Sequence, residues 1–289
     1  MNTRITGLLV STLFVSICGD SAVAQQTPAT WAVASHTTTQ EKTPATTPAT
    51  KLTNESSVDE ILDALDVVGK TLTSLEAVVS KSDIDAAAGD SITRAGVVLL
   101  GMSKAGDAKL RVTFNSVQRN EDSPRAGDAV KQDYLLVDGW LNDSNFDIRK
   151  VVRYQVRPPG ESVNLLGLGE GPFPLPIGQS KEAVHLQFDV KKLPSPSDRA
   201  NAIVLDLRPK DGTKLRKRFA RIIVDVDPIS HMPVRIETMD RDIDDPTDPP
   251  SLINVTTLTN IKLNLPLAAD AFSAGPTEGW DIETKPLDE

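Results

Sequence analysis

Few residues in this 289-residue sequence have the types and spacing that chemistry demands. In the run DRDIDDPTD, Asp240, Asp242 and Asp244 stand at the first three ligand positions of an EF-hand calcium loop. Asp245 then occupies the place where the sharp turn requires glycine, and Ser251 stands where a bidentate Glu would complete the shell. The run therefore reads as a solvated hairpin loop. Gly167-Leu168-Gly169-Glu170-Gly171 is glycine-rich, but it does not open a helix after a strand, and Pro172 favours an extended chain there. It is no phosphate cradle. Hydrolase elbows (G-x-S-x-G), P-loops and HExxH are missing from the sequence. Of the three histidines, His36, His185 and His231, neither His185 nor His231 has a second His or a carboxylate at ligand spacing. No catalytic residue, metal ligand or cofactor site is nominated, and the chain is expected not to be an enzyme. The rival is a hydrolase site assembled from scattered Asp and Ser residues. One charged group stands out: Lys214, Arg216, Lys217, Arg218 and Arg221 read as a solvated strand or as a dock for an acidic partner.

The ends and the composition bound what can position such residues. Arg4 precedes the apolar stretch ITGLLVSTLFVSI, and Ala22-Val23-Ala24 follows it, which together describe a secretory signal peptide over residues 1–24. The apolar run is too short to span a bilayer. Lipidation at Cys18 is disfavoured because Ile17 is bulky where a small residue is needed. Cys18 is the sole cysteine, so the mature chain is expected to hold neither disulfide nor thiolate, as suits an oxidising compartment. The net charge of −9 loses Arg4 and Asp20 together and stays at −9. Such an acidic chain offers no overall electrostatic attraction to nucleic acid or to an anionic membrane. Residues 25–56, in which TPAT recurs at Thr27, Thr43 and Thr47, read as a disordered tether with Trp31 as its one sticky residue.

Order is expected from Ser57. Ser57 and Glu60 have capping-box spacing, and Val58, Ile61, Leu62, Leu65 and Val68 follow at helical intervals until Gly69. Leu72, Leu75, Val78 and Val79 continue into a second turn or a first strand. The period then changes to two. RAGVVLL, KLRVTFN, Tyr134–Val137, Arg149–Val156, Val184–Val190, Ile203–Leu207, Leu215–Val226, Val234–Thr238 and Ile253–Leu265 alternate as strands. Turns fall at Ser103-Lys104 with Gly106, Asp138-Gly139, Asp211-Gly212 and Asp227-Pro228. Roughly nine to eleven strands with short links make a mostly antiparallel sheet, and one helix on its apolar face makes the class α+β. Within the sheet's course, residues 157–180 carry Leu165, Leu166, Leu168, Phe173, Leu175 and Ile177 among Gly and Pro, as a packed binding loop or lid would.

In order and spacing these segments resemble the LolA family of periplasmic lipoprotein carriers over roughly Val58–Asp281. The carriers of the resemblance are the leading helix VDEILDALDVVGKTLTSLEAVVS and the hairpin Asp138-Gly139-Trp140. Leu205, Leu207 and Pro209 of IVLDLRPKDG, the segment DVDPISHMPVRIETMDRD, and Asn264, Phe272, Pro276 and Gly279 near the end complete it. The turn GMSKA lacks the Arg-Pro that the family often has there. The resemblance implies a curved, incomplete (half) β-barrel over residues 57–289, covered by the N-terminal helix and lid segments. It implies a soluble periplasmic monomer that takes lipoprotein acyl chains from an inner-membrane releasing complex to an outer-membrane acceptor. A periplasmic lipid-binding sensor or regulatory module with the same fold is the alternative. On either reading the expected cavity lining is Val152, Tyr154, Leu186, Phe188, Leu205, Leu207, Ile222, Val224 and Val255, with Ile61, Leu65, Leu166, Leu168, Phe173 and Leu175 as cover. For the leader, N-terminal sequencing of exported protein is expected to begin at Gln25. A membrane-bound product retaining Met1 would make the segment an anchor instead.

Overall fold

In the computed structural model, α1 (Val58–Thr71) begins where the capping box predicts. Ser57 Oγ accepts the Glu60 N–H at 3.2 Å, and the Glu60 carboxylate accepts the Ser57 N–H at 2.7 Å. That N–H holds the Glu60 carboxyl below its usual range. Such caps contribute about 1 kcal/mol by satisfying donors that the first turn leaves unpaired. Ile61, Leu62, Leu65 and Gly69 form the buried face. Gly69 is there for space: a Cβ would lie 2.1 Å from the backbone nitrogen of Gly178. The structure describes residues 51–102, 108–120, 130–157, 177–241, 252–275 and 277–287, all within the unit Thr50–Leu287.

Twelve strands follow. β1 (Ser74–Asp85), β2 (Asp90–Met102), β3 (Ala108–Arg119), β4 (Gln132–Val137), β5 (Trp140–Asn145) and β6 (Lys150–Gln155) form one meander. α2 (Lys181–Gln187) leads into a second: β7 (Phe188–Leu193), β8 (Ile203–Pro209), α3 (Lys214–Arg218), β9 (Phe219–Val226), β10 (Pro233–Asp240) and β11 (Leu252–Leu263). β12 (Asp281–Lys285) ends the described chain's strands. The sheet order is β12-β6-β5-β4-β3-β2-β1-β11-β10-β9-β8-β7. The first and last strands of this order do not pair, so the sheet is an open, mostly antiparallel half-barrel of α+β class. Only β12 runs parallel to its neighbour, β6. Bulges at Glu76/Val78 and Ala95/Gly96 bend the long central strands. At the second, a Cβ on Gly96 would sit 1.8 Å from the Thr113 carbonyl oxygen.

Several expectations are corrected. Val184–Val190 is not one strand but α2 followed by β7, and Leu215–Val226 is α3 followed by β9. The reason is that Val184/Phe188 and Leu215/Phe219 are each four residues apart, a spacing that fits period two and period 3.6 equally. Caps decide the matter: Ser180 Oγ accepts the Ala183 N–H at 3.3 Å, and Thr213 Oγ1 accepts the Arg216 N–H at 3.2 Å. Order also starts before Ser57. Leu52 is buried, and its N–H donates to the Pro228 carbonyl at 3.0 Å. The region after Leu72 is strand β1, not a further helical turn. β5 went unnoticed because WLNDSN lacks apolar alternation, and β12 because DIETK is almost wholly polar. The Asp138-Gly139 turn is as expected, with φ of 50° and 81°, the left-handed pair that a tight hairpin requires.

Register assigns the faces. Leu75, Ala77 and Val79 of β1 sit opposite Leu100, Val98 and Gly96 of β2, and the same face continues through Leu110, Val112 and Phe114 of β3 to Leu136 of β4. In the other direction it passes through Leu258, Ile236, Val224 and Ile222 to Leu205 and Leu207. These residues form one core cluster with Ile61, Leu62 and Leu65 of α1, which makes this the inner, concave face. Asn264 locks the join between the meanders: its Oδ1 accepts the Thr73 N–H at 2.7 Å and the Thr73 hydroxyl at 3.0 Å. The chain then crosses the outer face as a strap. The Phe272 ring packs on Gly101, Arg111 donates to the Ala271 and Ser273 carbonyls, and Trp280 meets Phe146 edge-on at 4.9 Å before β12 joins β6.

Three substitutions test this packing. Gly69→Ala drives a methyl group into the backbone at Gly178 and is expected to cost about 1–3 kcal/mol in a denaturant titration. Unchanged stability would mean that the 177–178 segment yields freely. Leu207→Glu buries an unpaired carboxylate in a core position 1% exposed and should abolish cooperative folding, whereas Leu186→Glu, at a position 77% exposed, should change stability by less than about 0.5 kcal/mol.

Candidate functional site on the concave face

The structure brings most of the expected cavity residues together, but in a closed core. Leu205 and Leu207 of β8, Ile222 and Val224 of β9 and Phe188 at the start of β7 are at most 1% exposed on the concave face. Ile61 and Leu65 of α1 are packed in the same cluster. Val152 and Tyr154 of β6 share this face through Asp143 and Leu141 of β5 and are half-buried. Two residues do not belong. Leu186 projects from α2 into solvent, and Val255, opposite Ser82 and Glu237, lies on the outer face because the bulge between residues 259 and 262 reverses the alternation of β11 and turns Asn254 and Thr256 inward. Leu166, Leu168, Phe173 and Leu175 lie outside the described residues. So do the Ser103-to-Gly106 turn and most of the acidic run after Arg241.

Sequence reading missed the other half of this face. On β1, Ala77 and Val79 are followed with the same parity by Lys81 and Asp83. The apolar floor therefore gives way to an ionic one. Both Lys81 and Arg94 of β2 bind the Asp83 carboxylate, Arg94 Nη1 at 2.6 Å, and the three side chains are 26–33% exposed. On the β4–β5 wall, Gln132 Nε2 donates to the Tyr134 hydroxyl and, at 3.0 Å, to Asp143 Oδ1. Toward β10, Asn254 Nδ2 donates to Asp240 Oδ2 at 2.9 Å, and the Thr238 hydroxyl donates to Asp240 Oδ1 at 3.1 Å. A band of polar side chains thus crosses from β10 to β5 beyond the apolar floor.

Its electrostatics follow from half-burial. Desolvation pushes the Asp143 and Asp240 carboxyls above their usual range against the hydrogen bonds that favour ionisation. Desolvation, aided by the Asp143 carboxylate, raises the Tyr134 hydroxyl well above the usual phenol range. The signal that would have found this band is the parity of β1 itself, where charges replace aliphatic residues without a change of face. Such a surface has an apolar side and a hydrogen-bonding side, which suits an amphiphile.

The histidines serve local structure. His185 Nε2 lies 3.0 Å from Asp59 Oδ1, joining α2 to α1. His231 is buried in the β9–β10 turn, where its N–H donates to the Asp227 carbonyl at 2.9 Å. Among the described residues no group of three His, Cys, Asp or Glu is positioned to hold a metal ion. Nor, among them, is any helix long and apolar enough to cross a membrane.

No protein-family model and no curated protein sequence matches the chain. Solved structures do resemble it. An uncharacterized conserved protein from Thermus thermophilus is 12% identical with a TM-score of 0.42, over 80% of this chain and 100% of that one. A domain named for outer membrane lipoprotein sorting, from Vibrio parahaemolyticus, is 14% identical with a TM-score of 0.36, over 74% and 95%. A LolA superfamily protein from Nitrosomonas europaea is 15% identical with a TM-score of 0.31, over 76% and 98%. Any functional reading therefore rests on this chain's own residues.

Proposed function

We propose that the protein is an exported, periplasmic carrier that holds the acyl chains of lipoproteins against the apolar half of its concave face and passes them toward the outer membrane. The observation that supports this is the closure of that face. An apolar floor running from β4 through β1 to β8 shares its core with the amphipathic helix α1, joined by Val184 of α2 and Leu215 of α3, and no second sheet packs on it among the described residues. The polar ties of α1 lie at the rim. Asp63 pairs with Lys181 at 2.8 Å, Asp59 with His185 at 3.0 Å, and Lys192 donates to the Asn54 and Ser56 carbonyls just before the helix. Exposed pairs of this kind contribute about 0–1 kcal/mol each.

What holds α1 down is therefore mainly apolar burial, and an acyl chain can replace it in kind. Each buried methylene contributes about 0.8 kcal/mol, so a chain of moderate length offsets the exposure of Ile61, Leu62 and Leu65. The closed state keeps the apolar floor from exposing a patch large enough to cause association. Donor and acceptor differ only in the affinity they offer, and transfer needs no bond chemistry. In the periplasm the donor would be an inner-membrane releasing complex and the acceptor an outer-membrane receptor.

Native mass spectrometry of protein purified from its envelope is expected to show bound lipid or lipopeptide, and a fluorescent fatty acid should bind the emptied protein. Asp63→Lys, which sets like charges against Lys181, weakens the rim latch and should tighten probe binding about two- to fivefold with the fold unchanged. Absence of both lipid and probe binding would remove the carrier reading. Stable lipid binding without transfer of labelled lipopeptide to acceptor vesicles would favour a sensor.

A further inference from the structure

The densest basic stretch of the chain, residues 208–218, holds six cations against one carboxylate in a protein of net charge −9. The fold gathers this stretch at one end of the sheet. β8 delivers Arg208, the following turn Lys210 and Asp211, α3 Arg216, and the residue after β10 is Arg241. These side chains, with Asp189, Pro209 and Ala220, line a cavity of about 400 Å³. Among the described residues, four cations and two carboxylates line it.

Three of these cations, Arg208, Lys210 and Arg216, are anchored by neighbouring acceptors. Arg216 Nε lies 3.0 Å from Asp211 Oδ1, and Arg208 Nε lies 3.3 Å from the buried Asp206 carboxylate. Among the described residues, neither arginine commits an Nη nitrogen to an acceptor. Lys210 donates to the His185 carbonyl and stands 3.8 Å from Asp189 Oδ1. Arg221, which the sequence groups with this cluster, belongs elsewhere: it closes a two-point pair with Asp206, Nε at 2.7 Å and Nη2 at 3.1 Å. Protection of a free strand edge does not account for the arrangement. The edge strand is β7, which carries its own Lys191 and Lys192, whereas the cavity's cations come from β8, α3 and the residue after β10.

We propose that this cavity is a binding site for a phosphate-type anion, a phosphomonoester or phosphodiester presented either free or on a lipid headgroup. Guanidinium groups oriented by a carboxylate at Nε are arranged for two-point contact with such oxygens. Lys214, Lys217 and Arg218, all exposed on α3, add to the local positive potential. The site is separate from the acyl-binding reading and stands or falls without it.

The test titrates the mature protein with inorganic phosphate by calorimetry at constant ionic strength, alongside Arg208→Gln/Arg216→Gln and Lys214→Gln/Lys217→Gln. Saturable binding is expected, weakened at least tenfold by the first pair and less than threefold by the second, with unchanged thermal unfolding for both. Co-sedimentation with phosphatidylglycerol-containing vesicles then separates the sources. Vesicle binding that phosphate displaces assigns a lipid headgroup, and phosphate binding without vesicle binding assigns a free ligand. No phosphate binding, equal weakening by both pairs, or vesicle binding that phosphate leaves unaffected would overturn the site.

Discussion

Pairing between β1 and β11 makes one sheet out of two meanders, and everything else depends on it. Without that seam, β1–β6 and β7–β11 would each be a ribbon with one apolar face and too little to cover it. With it, the apolar rows meet at Val79 and Leu258 and continue from Leu136 to Leu207 across the seam. The Asn264–Thr73 contact, which joins residues 191 positions apart, fixes the register at one end. A one-residue slip there would turn the whole inner row of β11 outward. The bulges next to the seam bend the joined strands, and the bend creates the concavity in which α1 lies.

The inner face shows how burial sorts side chains along a single strand. On β1 the face is apolar where α1 lies over it and ionic beyond, and β2 repeats the change between Val98 and Arg94. Desolvation makes such a boundary costly to blur: a carboxylate moved one step inward would lose its donors, and an aliphatic residue moved outward would face water. The division between the apolar and the polar half of the concave face therefore follows from where the helix stops. Net charge conveys none of this, because a sum of −9 conceals both the ionic band and the basic cavity at the end of β8.

Much of the fold was legible in the sequence, because period-two alternation, the Ser57–Glu60 cap and the Asp138-Gly139 turn are local facts. The α2 and α3 segments were misread where local facts conflict, since apolar residues four apart satisfy both periods and only the Ser180 and Thr213 caps break the tie. The candidate site was half legible. Leu205, Leu207, Ile222 and Val224 share one face as parity predicts, whereas Val255 needed the register of β11, whose extra residue opposite Ala77 reverses its alternation. The Lys81–Asp83–Arg94 group was visible only once strand partners were known, because its members come from different strands and form no motif in the chain.

The strap across the outer face carries a consequence for how the molecule is made. A chain is synthesised N-terminus first, so residues 281–285 arrive after every other described strand. Until then the ladder of β6 lacks its parallel partner, and the outer face that holds Asp133 and Leu135, buried in the finished molecule, lacks the 264–280 segment. An unpaired strand edge beside an uncovered wall is a point of self-association and of proteolytic attack. Loss of residues 281–285 would thus be felt along the β6 edge and the outer face, which stay open until this strand pairs.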